Sequence, residues 1–396
     1  MRESCKFGFP QLDFPTNLTQ TLEQETTFYQ ELQGQLGLDL RDCRGKKHDL
    51  AFILVGVMIS LLRNRDGKLS SIHRGMVNTH SRLCQLLGVD ITKAVSRAQL
   101  PRILQRVNQE LFEVLLLKFT KVDLSQQERK WFSGDGKELR GSIPKGDKRG
   151  QVSVQLVSHD ERCVVGQAFY NGTKESEKPC LQQLVDTTGV KSQKITADAL
   201  HLTPLMTEMV AQAGGVFVIG LKQNQKQLFQ DMVNHSQVFA PRVEHKTLDK
   251  AHGRLEIRQY ACFDISGEYV ESRWANSGLS SLIRVERTRR ILKNNDSSQQ
   301  VSYYVSNGKS ENALEYFQAV RNHWSIEVNN HYRDVSLKED QFRTKEKAIT
   351  RSMASMRTLV LDLLRRVNPK NLIAQMEKFQ DNFDLLIQDL KTIRFL

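Results

Sequence analysis

Three side chains in the stretch Arg321-Asn-His-Trp-Ser-Ile-Glu-Val-Asn-Asn-His-Tyr-Arg-Asp334 could do chemistry: His323, Glu327 and His331 fall at i, i+4 and i+8. On a helix these positions share roughly one face, and a carboxylate flanked by imidazoles can ligate a metal or move a proton. Taken alone, the same pattern also describes a solvated glutamate between two interfacial histidines. Two aspartates upstream add context. Asp135 ends a strand candidate and is followed by Gly136, which lets a backbone or a phosphate approach closely. Asp198 ends the strand candidate Lys194-Ile-Thr-Ala-Asp198. Ligands of α/β sheets usually bind in the crevice at the carboxyl ends of the strands. Asp135, Asp198 and Glu327 meeting there would offer the oxygen ligands that Mg2+ or Mn2+ takes, with phosphate oxygens and waters completing the shell. Either aspartate alone is commonly a turn or cap residue.

The elements that must position these groups follow from periodicity. Leu314, Phe317, Val320, Trp324 and Val328 recur every three or four residues and predict one amphipathic helix carrying Glu327. Trp131 to Ser142 reads as a short strand running into a glycine-rich basic turn. Val152 to Leu156 and Val164 to Tyr170 read as further strands. Helix, strand, helix and strand follow at Ser176 to Val185, Lys194 to Ala199, Pro204 to Ala213 and Val216 to Leu221, with Thr203-Pro204 as cap and first-turn proline. Residues 236–306 turn β-rich, with strands at Leu255 to Phe263, Ser281 to Arg287 and Val301 to Val305, and Ser352 to Arg366 closes with a helix. The fold class is therefore α/β (α+β overall), a mixed sheet flanked by helices and interrupted by a β-rich insertion.

Four segments result: an N-terminal helical unit over 1–125, suited to binding DNA ends or to bracing the next unit, a catalytic unit over 126–235 and 307–366, the insertion 236–306, and a C-terminal amphipathic helix over 367–396. The first contains helical patterns around Leu18 to Leu36, at Leu50 to Leu62 and at Ile103 to Leu115. The last has a 3.5-residue seam, Leu372, Met376, Phe379, Phe383, Leu386, Leu390 and Ile393, suited to a partner helix or to packing on its own chain.

Composition narrows the function classes. A formal net charge of +12 over 396 residues favours polyanionic partners, with nucleic acid ahead of an anionic membrane surface. Six scattered cysteines form no CxxC pair, which argues against a zinc ribbon or a disulfide scaffold and fits reduced thiols in a cytosol. No signal peptide is visible, and the longest apolar run, Leu50 to Leu62, is short for a membrane span. The chain is expected to be cytoplasmic, without a membrane partner. A zinc hydrolase built on His323, Glu327 and His331 lacks the H-E-x-x-H spacing.

Taken in order, the motifs resemble the DDE transposases of bacterial insertion sequences, in the ISAs-type group that includes the H-repeat-associated proteins. Gly134-Asp-Gly-Lys-Glu-Leu-Arg-Gly-Ser142 is similar to the family's D-G-K-x-L-R-G-S, and Ile195-Thr-Ala-Asp-Ala199 to its second-aspartate strand. Ile219 to Gln225 resembles its L-K-x-N-Q turn and Lys250 to Arg258 its H-G-R-x-E-x-R strand. Tyr303 to Ser306, His323-Trp-Ser-Ile-Glu327, Asp334-Val335 and Glu339-Asp340 follow, and Arg44 to Leu50 resembles its N-terminal module. Glu138 and Val328-Asn-Asn330 depart from the family pattern.

The resemblance implies a ribonuclease-H-like core with Asp135, Asp198 and Glu327 as catalytic, metal-binding residues, served by two Mg2+ or Mn2+ ions. The implied activity is phosphoryl transfer: cleavage at element ends, then attack of the freed 3′-hydroxyl on target DNA. Lys137, Arg140, Lys222, His252, Arg254 and Arg258 would contact phosphates, Trp274 could stack on an unpaired base, and His323 and His331 could orient Glu327 or the nucleophile. The implied partners are terminal inverted repeats and target DNA, bound by a homodimer at the nucleoid. A decayed or domesticated DNA-binding protein is the alternative.

Overall fold

The computed structural model describes residues 26–396, except 65, 121–123, 125–127, 172–175, 252, 266–269 and 369. His252, and Leu18 and Leu22 of the first helical pattern, lie outside the described residues. Among the described residues five helices come first: α1 (Phe28–Gly34), α2 (Leu50–Arg63), α3 (Leu69–Leu87), α4 (Gln99–Leu104) and α5 (Gln109–Thr120). Every residue from Leu50 to Leu62 is buried, so α2 is a central helix surrounded by the others, as its unbroken apolar run implies. The pattern from Ile103 to Leu115, expected as one helix, is divided between α4 and α5.

Among the described residues, nine strands form a single sheet: β1 (Trp131–Leu139), β2 (Gln151–Ser158), β3 (Val164–Asn171), β4 (Lys194–Ala197), β5 (Val216–Leu221), β6 (Val243–Ala251), β7 (Arg254–Asp264), β8 (Ser281–Ile291) and β9 (Ser297–Ser306), in the order β3-β2-β1-β4-β5-β9-β8-β7-β6. β1, β2 and β3 are antiparallel neighbours, while β4 and β5 run parallel to β1. This is the expected ribonuclease-H-like mixed sheet. The insertion does not stand apart, because β9 pairs antiparallel with β5 and continues the same sheet outward through β8, β7 and β6.

Side-chain alternation along the strands gives the sheet two covered faces. Helices α6 (Glu177–Thr187), α7 (Pro204–Gln212) and α8 (Lys226–Val238) cover one, over a core including Phe132, Leu156, Leu181, Ile195, Phe217 and Met232. Thr203 caps α7 by accepting the Met206 N–H at 3.3 Å, with Pro204 in the first turn. On the other face, α9 (Ala313–Asn322) packs Tyr316 and Phe317 against Val218, Tyr260 and Ile283. α10 (Trp324–Val335) follows and sets Ile326 against Val157 and Val164. The single helix expected from Leu314 to Asp334 is thus two, meeting at His323, and Leu314 and Trp324, near the start of each, are 55% and 60% exposed rather than core.

α11 (Lys347–Val367) joins sheet and helical unit. Thr358 accepts from Gln155 on β2 at 3.0 Å and donates to Gln167 on β3 at 2.9 Å, while Met353, Met356, Val360 and Leu364 enter the same core as α2. The C-terminal seam is carried by two helices, α12 (Leu372–Asp381) and α13 (Phe383–Thr392), instead of one. Asn382 breaks them and caps α13 by accepting the Leu385 N–H at 3.0 Å. Leu372, Met376, Phe379, Phe383, Leu386 and Leu390 are all buried in the helical core of this chain. Among the described residues, no helix is long and apolar enough to cross a membrane.

Candidate active site

The register of β1 against β4 brings the two aspartates together. Gly134 pairs with Ala197, so the next residues, Asp135 and Asp198, lie side by side on strands about 4.8 Å apart. β4 stops there: Asp198 turns the chain by accepting the Leu200 N–H at 2.9 Å. β1 does not stop. Asp135 is mid-strand, opposite Gln155 of β2, instead of closing a strand. By alternation Ser133, Asp135 and Lys137 share a face with Thr196 and Asp198, and it is the face that α10 covers. His323 Nδ1 lies 2.9 Å from Thr196 Oγ1, which is also 3.0 Å from His159 Nε2 and 3.1 Å from Ser133 Oγ. Burial pushes His159 down to about 3 and His323 down to about 4, the latter against the opposing pull of Asp198. Both rings are neutral near neutral pH, and they tie the start of α10 to the strand ending in Asp198.

Two further residues close in from the other side. Glu177, in the first turn of α6, and His201, three residues after Asp198, each place a ligand atom with one from Asp135 so that all three lie within 4.8 Å of one another. His201 is buried; its Nε2 is 3.3 Å from Glu177 Oε1 and 3.9 Å from Asp198 Oδ1. The Tyr170 hydroxyl donates to Glu177 Oε2 at 3.0 Å. Gly136 makes the approach possible, since a Cβ there would lie 2.5 Å from Glu177 Cδ. Burial, and next the charge of Asp198, raise the Asp135 carboxyl to about 7. A crowd of carboxylates beside a buried imidazole fits a divalent cation, whose charge would relieve the repulsion.

Residues 119–363, more than half of the chain, match the transposase DDE domain. The chain belongs to the DDE transposase family. It is 24% identical over 271 residues to the H repeat-associated YhhI of Escherichia coli (strain K12), covering 66% of this chain and 71% of that one. YbfL of the same strain is 25% identical with the same coverage, and YncI of Escherichia coli O157:H7 is 25% identical over 275 residues, covering 67% of this chain and 69% of that protein. Members of this family generally act with a divalent metal, and the acidic cluster around Asp135 lies inside the matched span.

In this DDE transposase Glu327 sits one turn beyond His323 on α10, exposed, with Lys222 and Tyr304 as its electrostatic neighbours. Partial desolvation holds its carboxyl above the usual range against the pull of Lys222. The compact ligand cluster is therefore Asp135, Glu177 and His201, with Asp198 beside it and Glu327 on the neighbouring helix. Glu177 and His201 carried no spacing signal that would have singled them out. The available hints were an acid in the first turn after the β3 strand and a histidine one turn past the second aspartate. His331 is exposed and lies against the Tyr332 ring, 6.4 Å between centroids.

Several residues expected on DNA are engaged inside the protein. Lys137 is buried, with Nζ 2.7 Å from Asp334, 3.3 Å from Glu339 and 3.5 Å from Asp340. Arg258 is held by Asp249 and the buried Glu256, a cluster that also draws in Arg289 and, from α9, Arg321. Lys137 and Arg258 are thus engaged by acidic partners and fasten elements together. Trp274 is 1% exposed, between α7 and the sheet, with Nε1 donating to Glu271 at 3.2 Å. Its ring has no open face for a base. Trp274→Ala should therefore cost about 3–5 kcal/mol of stability, read by chemical denaturation, with DNA affinity of the folded protein unchanged. Arg140, Lys222 and Arg254 are exposed.

Asp135 also makes a pH prediction for the cation-free protein. Between its ordinary value of 3.8 and about 7, the folded chain keeps a proton that the unfolded chain has released. Stability from this group therefore falls as pH rises through that window. The urea midpoint in EDTA is expected to drop between pH 5 and pH 8, and Asp135→Asn to remove that component.

Proposed function

We propose that this protein is a metal-dependent DNA transposase that cuts the ends of its element and joins them to target DNA. The adjacency of Asp135 and Asp198 on neighbouring parallel strands, at the rim where β4 ends, carries this reading. Asp135, Asp198 and Glu327 would hold two Mg2+ or Mn2+ ions. When bound, such ions activate a nucleophile and stabilise the departing oxygen.

The chain supplies the rest. Thr196, held by His159 and Ser133, fixes His323 and with it the turn of α10 that presents Glu327. Arg140, Lys222 and Arg254, exposed on the surface, would contact phosphates and set the register of the duplex. In cleavage, the oxygen of a water forms a bond to phosphorus, the bond to the 3′-oxygen breaks, and the proton of the water is released. In joining, the freed 3′-hydroxyl takes the place of water, so one phosphodiester is exchanged for another and no nucleotide cofactor is consumed.

The helical unit, residues 1–125, and the insertion, residues 236–306, would hold DNA on either side of the catalytic unit. Two DNA ends call for two active sites, and a homodimer assembled on DNA at the nucleoid would provide them. The test is a nicking assay with purified protein on the inverted repeats flanking its gene. Nicks are expected with Mg2+ or Mn2+ and none with EDTA; binding without nicking under every metal condition would identify a DNA-binding protein that has lost catalysis.

A further inference from the structure

We propose that Glu177 and His201 ligate a divalent cation together with Asp135, making one cation position a mixed oxygen–nitrogen site. The inference deepens the metal-dependent reading above, but it concerns cation binding and is tested without DNA.

Three independent features meet here. The first is proximity, with ligand atoms of all three residues within 4.8 Å of one another. The second is the state of the imidazole. His201 is 2% exposed, and its Nε2 has no hydrogen-bond partner among the described residues, although Glu177 Oε1 is 3.3 Å away and Asp198 Oδ1 is 3.9 Å away. A buried polar atom left without a partner costs stability, and one aimed between carboxylates is accounted for if its lone pair is given to a cation. The third is the support around Glu177. Tyr170 donates to Oε2 at 3.0 Å while Oε1 lies 3.3 Å from His201 Nε2, and the Tyr170 bond is the kind of outer contact that orients metal-binding carboxylates. Gly136 leaves the space for that carboxylate over the strand.

The donor set also sets the preference among ions. Mg2+ favours oxygen ligands and gives up water reluctantly, whereas imidazole suits transition metals. The site should therefore take Mn2+ in preference to Mg2+.

The experiment uses the full-length protein stripped with EDTA and titrated with Mn2+. Free Mn2+ is followed by electron paramagnetic resonance, and bound Mn2+ by the spin-echo modulation that an imidazole nitrogen imposes. The wild type should bind Mn2+ with that nitrogen signature, and Mg2+ should displace it only in large excess. His201→Gln should lose the signature, and both His201→Gln and Glu177→Gln should bind Mn2+ on the order of tenfold more weakly or worse. Thermal melts of the stripped proteins identify any variant that fails to fold, and the wild-type spectrum alone decides in that case. Saturated wild type without nitrogen modulation, or modulation that survives His201→Gln, overturns the proposal. Metal-dependent DNA cutting without the nitrogen signature would also sink it while leaving the transposase reading standing. The nitrogen signature in a protein that never cuts DNA would do the reverse.

Discussion

Asp135→Asn is expected to reduce strand cleavage by at least about a thousandfold, a loss of about 4 kcal/mol of transition-state stabilisation, while the protein still folds and binds DNA. The amide keeps the shape of the side chain but not the charge that a cation needs. Asp135 stands in the densest part of the site, beside Asp198 in register and within ligand range of Glu177 and His201. The same substitution removes a carboxylate that burial and Asp198 oppose, so the cation-free variant should be more stable than the wild type at pH 8. Opposite signs for activity and stability are the mark of a site assembled for function. The measurements are nicking of supercoiled or end-containing DNA, an electrophoretic shift, and urea denaturation in EDTA. Cleavage by the variant at near wild-type rate would remove Asp135 from catalysis.

Lys137→Met should cost about 3–5 kcal/mol of stability, because it strips the cation from a buried acidic group and leaves the group behind. Asp334, Glu339 and Asp340 all approach the Lys137 ammonium, and Glu339 is 4% exposed. Burial alone would raise Glu339, yet the cations of Arg333, Lys137 and Arg357 outweigh it and hold its carboxyl below the usual range. Arg333 reaches Glu339 at 2.8 Å, and Arg357 caps the cluster by donating to the Leu337 and Gly67 carbonyls. Lys137 belongs to β1 and Asp334 to α10, so the pair locks the strand of Asp135 to the helix of Glu327. Activity should fall along with stability. The salt dependence of DNA binding should keep its slope, since no phosphate contact is lost. A slope shallower by about one unit, with stability unchanged, would place Lys137 on a phosphate after all.

The sequence made the central layout legible where spacing is local. The strands at 131–139, 194–197 and 216–221 and the helix starting at Pro204 follow from alternation, cap and proline chemistry, and they are the elements that carry Asp135 and Asp198. What stayed hidden depended on tertiary context. β6, Val243–Ala251, is polar and largely exposed, so it shows no apolar alternation; its strand character comes from pairing with β7. The break at His323 left no trace because the three-and-four spacing runs through it. The seam likewise runs unbroken through Asn382, which caps a new helix. Glu177 was invisible for a different reason: its place at the site depends on the missing side chain of Gly136, a contact between segments about forty residues apart. The resemblance assigns Lys137 and Arg258 to phosphates, but a motif says nothing of the acidic partners that the fold brings against them.

A sheet of nine strands ends in two raw borders, and the outer one is β6. A bare strand at such a border is a template on which another chain can add itself. Here the border strand is Val-Glu-His-Lys-Thr-Leu-Asp-Lys-Ala, with Glu244, Lys246, Asp249 and Lys250 all exposed. Charged side chains crowding a border discourage edge-to-edge growth. The β-rich segment can therefore lengthen the sheet without turning the protein into a seed for fibrous assembly.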